Sequence, residues 1–84
     1  MENTVNYPWE FAPPGFQWAA IDENGWAYWY RDEPKMANTQ WAASDYNYYD
    51  DEMRPLFISM GVYNAPAGFE WRKTLQKRPE GQNK

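Results

Sequence analysis

The strongest pattern in the chain lies in residues 16–31, FQWAAIDENGWAYWYR. Two runs of aromatic and small apolar residues flank a polar break. Asn24-Gly25 is the favoured dipeptide of a tight type I′ hairpin, and β-forming residues surround it. A two-residue loop sets Glu23 against Trp26, Ile21 against Tyr28 and Ala19 against Tyr30. On the other face Asp22 meets Ala27, Ala20 meets Trp29, and Trp18 meets Arg31 as a cation–π pair. Small residues opposite large rings favour cross-strand packing. Neither face is polar: Phe16, Trp18, Ala20 and Trp29 share one, and Ala19, Ile21, Trp26, Tyr28 and Tyr30 the other. A hairpin with a solvent face alternates apolar with polar. Either both faces are covered, or one is a binding surface.

The flanking patterns are weaker. Residues 1–15 combine Pro8, Pro13 and Pro14 with Tyr7, Trp9 and Phe11, which predicts an extended arm laid over the domain by its rings. Residues 32–40 predict a loop around Pro34, and Trp41-Ala42-Ala43 a short third strand. Residues 44–54, SDYNYYDDEMR, are loop or a helix capped by Ser44 or Asp45 and ended before Pro55. Residues 56–63, LFISMGVY, are the most apolar run and predict a buried strand. Residues 71–78 allow a helical turn before Pro79, and 80–84 read as a disordered terminus. Together these give a mainly β domain over 16–79, with α+β as the variant. It is an antiparallel sheet of three to five strands with at most one short helix.

Composition narrows the chemistry. The 84 residues include no Cys and no His, so disulfides, thiol nucleophiles, imidazole ligands and Ser-His-Asp triads are all absent. Ser44 and Ser59 lie in no nucleophile elbow, and the five glycines are scattered singly. Carboxylates at Asp22, Asp32, Glu33, Asp50, Asp51 and Glu52 read as solvated turn groups. Asp45, Asp50, Asp51 and Glu52 do not fit an EF-hand spacing. The reading is a protein that is not an enzyme, with no cofactor and no bound metal. Aromatic residues make up 20% of the chain, and packing of their rings replaces the missing staples. No run spans a bilayer and no signal peptide is seen, so no membrane partner is expected. Eleven acids against three bases leave residues 1–70 at −8, while five bases against one acid leave 71–84 at +4. The acidic body argues against direct nucleic-acid binding.

One motif recurs. Ala12-Pro13-Pro14-Gly15-Phe16-Gln17-Trp18 returns as Ala65-Pro66-Ala67-Gly68-Phe69-Glu70-Trp71. A proline-led turn feeding a strand explains it, with Phe and Trp on one face of a shared aromatic cluster. The first copy leads into Trp18-Ala19-Ala20-Ile21-Asp22-x-x-Gly25, then an aromatic strand, Pro34 and Trp41. The second leads into Trp71-Arg72-Lys73-Thr74-Leu75-Gln76-Lys77-Arg78-Pro79. This layout resembles small uncharacterised proteins of tailed bacteriophages, which pair such a hairpin with a Trp-Arg-x-Ser-Leu-x-x-Arg-Pro-like box. Thr74 stands where that group often has Ser. The resemblance covers roughly 14–41 and 71–79 and implies a phage accessory protein in the bacterial cytoplasm. It implies no activity.

Two candidate surfaces follow. Tyrosine interleaved with acid in Tyr46, Tyr48, Tyr49, Asp50, Asp51 and Glu52 suits a basic patch on a host or phage protein. The rings give rigid contact area and the acids give steering. Trp26, Tyr28 and Tyr30 extend this set if their hairpin face is open. Arg72, Lys73, Lys77 and Arg78 form a candidate anion site. On a helix, Lys73 and Lys77 share one face, and Trp71 and Leu75 dock inward beside it. The leading expectation is a phage accessory protein that binds and inhibits another protein. The rivals are a nucleotide-like ligand binder and a virion structural or assembly component that forms homo-oligomers.

Overall fold

The computed structural model describes residues 5–43, 48–64 and 69–80. The described residues form the strands β1 (Trp18–Ile21), β2 (Trp26–Tyr30), β3 (Lys35–Met36), β4 (Trp41–Ala42), β5 (Phe57–Val62) and β6 (Gln76–Lys77). An antiparallel sheet has the order β5-β2-β1-β6, and β3 pairs with β4 as a separate two-stranded ribbon. Among the described residues, single 3-10 turns at Trp9–Phe11 and Trp71–Lys73 are the helical elements. The mainly β expectation holds.

The hairpin register differs by one residue from the two-residue-loop expectation. Trp18 faces Tyr30, Ala19 faces Trp29, Ala20 faces Tyr28 and Ile21 faces Ala27. The Asp22 N–H donates to the Trp26 carbonyl at 2.8 Å, and the Gly25 N–H donates back to the Asp22 carbonyl at 2.9 Å. That is a type I turn followed by Gly25 at φ +94°, the three-residue hairpin with a glycine bulge. The carbonyl of Tyr63 lies 3.3 Å from where a Gly25 Cβ would stand. The shifted register moves Arg31 away from Trp18. Its guanidinium sits 4.6 Å over the Phe16 ring, and its Nε donates to the Pro55 carbonyl at 2.8 Å. Small-against-large pairing survives, now as Ala19 with Trp29 and Ala20 with Tyr28.

Both faces of this hairpin are covered by the chain itself. Ala19, Ile21, Ala27 and Trp29 pack under the arm, against Val5, Tyr7, Trp9, Ala12 and Phe16. Trp9 and Trp29 have ring centroids 5.0 Å apart, and Tyr7 meets Trp9 edge-on at 5.9 Å. On the opposite face Ala20 and Tyr30 pack against Trp41, Ala43 and Trp71, with Trp18 and Tyr28 beside them. The hairpin is thus the middle of three layers, which is why neither of its faces carries a polar stripe.

The C-terminal box locks the layers together. Thr74 is buried, and its hydroxyl accepts the Ile21 N–H at 2.9 Å while donating to the Trp71 carbonyl at 2.7 Å. Its carbonyl receives the Tyr7 hydroxyl at 2.7 Å. The Gln76 amide donates to the Val5 carbonyl, tying the arm to β6. Residues 71–78 are therefore a 3-10 turn and an edge strand, and the expected Lys73–Lys77 helical face does not form.

Three further expectations change. Residues 32–40 are not wholly loop, because β3 pairs there with β4. The 56–63 run is an edge strand, paired on one side with β2, and leaves Ile58 and Val62 exposed. Phe16 and Trp18 belong to opposite layers, because the strand starts only at Trp18. Trp71 opens a turn where Trp18 opens a strand. Ala65, Pro66, Ala67 and Gly68 of the second copy lie outside the described residues, as do residues 1–4 of the arm, the Ser44 or Asp45 helix cap, Tyr46, Asn47 and residues 81–84.

Candidate functional site

The chain between β4 and β5 builds a small exposed turn. The Leu56 N–H donates to the Tyr48 carbonyl at 2.9 Å, and Tyr49 bridges Pro55. Asp50 organises its tip. One carboxylate oxygen accepts the backbone N–H groups of Glu52 at 2.8 Å and Arg54 at 2.9 Å, and the other takes the Arg54 Nε at 2.7 Å. Those hydrogen bonds from Arg54, with smaller help from Glu52 and the Arg54 charge, hold the Asp50 carboxyl below the usual carboxylate range. Met53 adopts φ +63° to close the turn. Asp50 is consequently an internal organiser, and Asp51 and Glu52 are the acids turned to solvent. Tyr48 is 69% exposed and Tyr49 54% exposed.

Tyr48 also walls a cleft. Its ring meets Phe57 at 5.6 Å, Phe57 meets Tyr28 edge-on at 5.7 Å, and Tyr30 lies 5.9 Å from Phe57. With Trp41 and Asp22 these rings line a cavity of about 320 Å³. Asp22 is only 7% exposed, and one of its oxygens accepts the Trp41 N–H at 2.8 Å. Burial pushes its carboxyl up, with the Trp41 hydrogen bond opposing. Burial also pushes up the Tyr28 and Tyr30 hydroxyls, and the Asp22 charge adds to both. Both therefore stay protonated at neutral pH. The Tyr30 hydroxyl donates to the Trp41 carbonyl at 3.2 Å.

The fold thus brings Tyr28, Tyr30 and Tyr48 of the tyrosine–acid set together, with Tyr49, Asp50, Asp51 and Glu52 on the adjoining turn. Tyr30 is buried apart from its place in the cleft wall, and Tyr28 is half-buried. Trp26 is 42% exposed at the far end of β2. Asp22 is the cleft residue that sequence reasoning left among solvated turn groups. Its position at the start of an Asp-x-x-Gly turn was legible, but the partner at Trp41 was not.

The basic residues do not converge. Arg78 is buried, and its guanidinium donates to the Phe16 carbonyl at 3.1 Å, so it braces the first turn. Arg72 lies 4.8 Å over the Trp71 ring, Lys77 reaches the Trp18 ring at 6.0 Å, and Lys73 is exposed. A second, apolar cleft of about 310 Å³ lies between arm and β5, lined by Val5, Tyr7, Phe11, Trp29, Met60 and Val62 among others. None of its described lining residues is charged. No group of three or more metal-ligating side chains gathers among the described residues. No described helix is long and apolar enough to cross a membrane. Comparison of the chain with protein-family models, curated proteins and solved structures found no match.

Proposed function

We propose that this chain is a small accessory protein of a tailed bacteriophage that binds a host or phage protein in the bacterial cytoplasm and inhibits it, with no catalysis of its own. The phage attribution rests on the hairpin and C-terminal boxes of the sequence. The binding face rests on one observation. With both hairpin faces covered, the exposed Tyr48 and Tyr49 and the outward Asp51 and Glu52 lie on one turn, beside a cleft that contains a carboxylate. Rigid rings with acids at their edge suit a basic protein surface. The nucleotide-like reading has less support, because Arg78 is spent on backbone carbonyls and Arg72 on its own Trp71.

One observation favours the homo-oligomer reading. β5 is an edge strand with exposed Ile58 and Val62, and such an edge offers hydrogen bonds to a second strand. Light scattering separates the two: a strict monomer removes the oligomer reading.

The binding reading is tested by passing bacterial lysate over immobilised protein. One stoichiometric partner is expected on the wild type. Tyr49→Ser with Asp51→Lys, both at exposed positions with little effect on folding, is expected to lose it. Equal capture by the variant, or no capture by either, counts against this face.

A further inference from the structure

The cleft beside Tyr48 holds a charge that no described residue balances. Asp22 is more than nine-tenths buried, and among the described residues its carboxylate accepts one hydrogen bond, from the Trp41 N–H. Its second oxygen has no such partner, and the ion pairs among the described residues involve Arg54 only. Among the described residues, no Lys or Arg lines the cleft. A buried carboxylate without a counter-ion is costly, and a cation that reaches it recovers part of that cost. The rings supply the rest of a cation site. The Phe57 ring lies 5.7 Å from that of Tyr28 and 5.6 Å from that of Tyr48, and aromatic faces attract a cation, most strongly out of water.

We propose that this cleft receives one basic side chain, an arginine or lysine, from the partner protein, with Asp22 as counter-ion and the rings of Tyr28, Trp41, Tyr48 and Phe57 as its walls. The proposal rests on the partner-binding reading and names what that face holds. The cavity, about 320 Å³, lies at the lower end of ligand-pocket sizes, roughly 300–1,000 Å³, and so suits one long side chain. Asp51 and Glu52 on the adjoining turn raise the local concentration of cations. An anion would meet Asp22 unfavourably, and an apolar group would bury the carboxylate further with no compensation.

The test uses blocked Gly-Arg-Gly and Gly-Lys-Gly peptides, with the neutral Gly-citrulline-Gly peptide as control, titrated into the whole protein and followed by NMR. At least one basic peptide should give saturable shifts at Tyr28, Trp41 and Phe57, and the citrulline peptide none. Asp22→Asn keeps an acceptor for the Trp41 N–H and should weaken binding at least about tenfold. If Asp22→Asn fails to fold, Tyr48→Ala at its exposed position carries the test and should also weaken binding. Equal response to citrulline, undiminished binding by the variant, or no saturation by about 10 mM of either basic peptide overturns the proposal. Partner capture separates this from the reading beneath it. Capture that survives Asp22→Asn but is lost with Tyr49→Ser and Asp51→Lys keeps the face and removes the cleft. Capture unaffected by any variant removes the face itself.

Discussion

Thr74 shows how one hydroxyl can hold three segments. It satisfies the Ile21 N–H at the end of β1, closes its own turn on Trp71, and offers its carbonyl to Tyr7 of the arm. Thr74→Val keeps the shape and removes the acceptor, leaving a buried N–H unpaired. Urea unfolding is expected to show a loss of about 1–3 kcal/mol, whereas Thr74→Ser should stay within roughly 1 kcal/mol of wild type. The resemblance to phage proteins marks Trp71 to Pro79 as one box, and the sequence allows a helical turn there, whereas the chain forms a 3-10 turn and an edge strand. The Ile21 and Tyr7 partners of Thr74 and the Phe16 partner of Arg78 lie 53 or more positions away along the chain, and nothing local announces them. Asp22 carries a pH signature of its own. Its carboxyl titrates above the ordinary value because of burial, so its neutral form favours the fold. Its contribution is fully present below about pH 4, the ordinary aspartate value, and is lost as pH rises through the folded pKa. The stability of Asp22→Asn relative to wild type should therefore increase across that window and level off above it. Asp50, held below its ordinary value, is unchanged in both proteins and cancels from the difference. A flat difference between pH 3 and pH 8 would contradict the burial of a charged Asp22.

The turn between β1 and β2 decides which rings meet. Asn24-Gly25 suggested a two-residue loop, yet Asp22 at the first position and Gly25 at the fourth equally mark a type I turn. The longer loop wins, and it pairs Ala19 with Trp29 and Ala20 with Tyr28. The choice is not local. Trp29 must reach the arm, while Tyr28 and Tyr30 reach Trp41 and Phe57. A one-residue slip would exchange those sets between faces. Gly25 takes a positive φ and sits tightly against the Tyr63 carbonyl, so Gly25→Ala is expected to cost roughly 1–3 kcal/mol in urea unfolding. A neutral result would contradict the positive φ and the close Tyr63 carbonyl at Gly25. The apolar run at 57–62 was legible as a strand but not as an edge, since neighbours in a sheet depend on the whole topology. The tyrosine–acid turn was legible as a surface. Its cleft was not, because Asp22 and Tyr28 come from the hairpin and Phe57 from β5.

For a chain of 84 residues with no Cys and no His, stability comes from two aromatic layers around one hairpin. The total is on the order of 5 kcal/mol for a domain of this size. Trp9 contributes to one layer through contacts with Tyr7 and Trp29, and truncating a buried Trp costs about 3–5 kcal/mol. Trp9→Ala should therefore be largely unfolded at 37 °C by circular dichroism, although Trp9 lies in the arm and outside the sheet. The same layering covers Trp29 and Tyr30 of the hairpin and leaves the 48–56 turn and its cleft as the proposed binding face. Hydroxyl-radical footprinting of the free protein reads this arrangement ring by ring. Trp9, Trp29, Tyr30, Trp41 and Trp71 are expected to be protected, while Trp26, Tyr48, Tyr49 and Met53 are oxidised. Rapid oxidation of Trp9 and Trp29, or of Trp41 and Trp71, would mean that one face of the hairpin is open and would contradict the three-layer account.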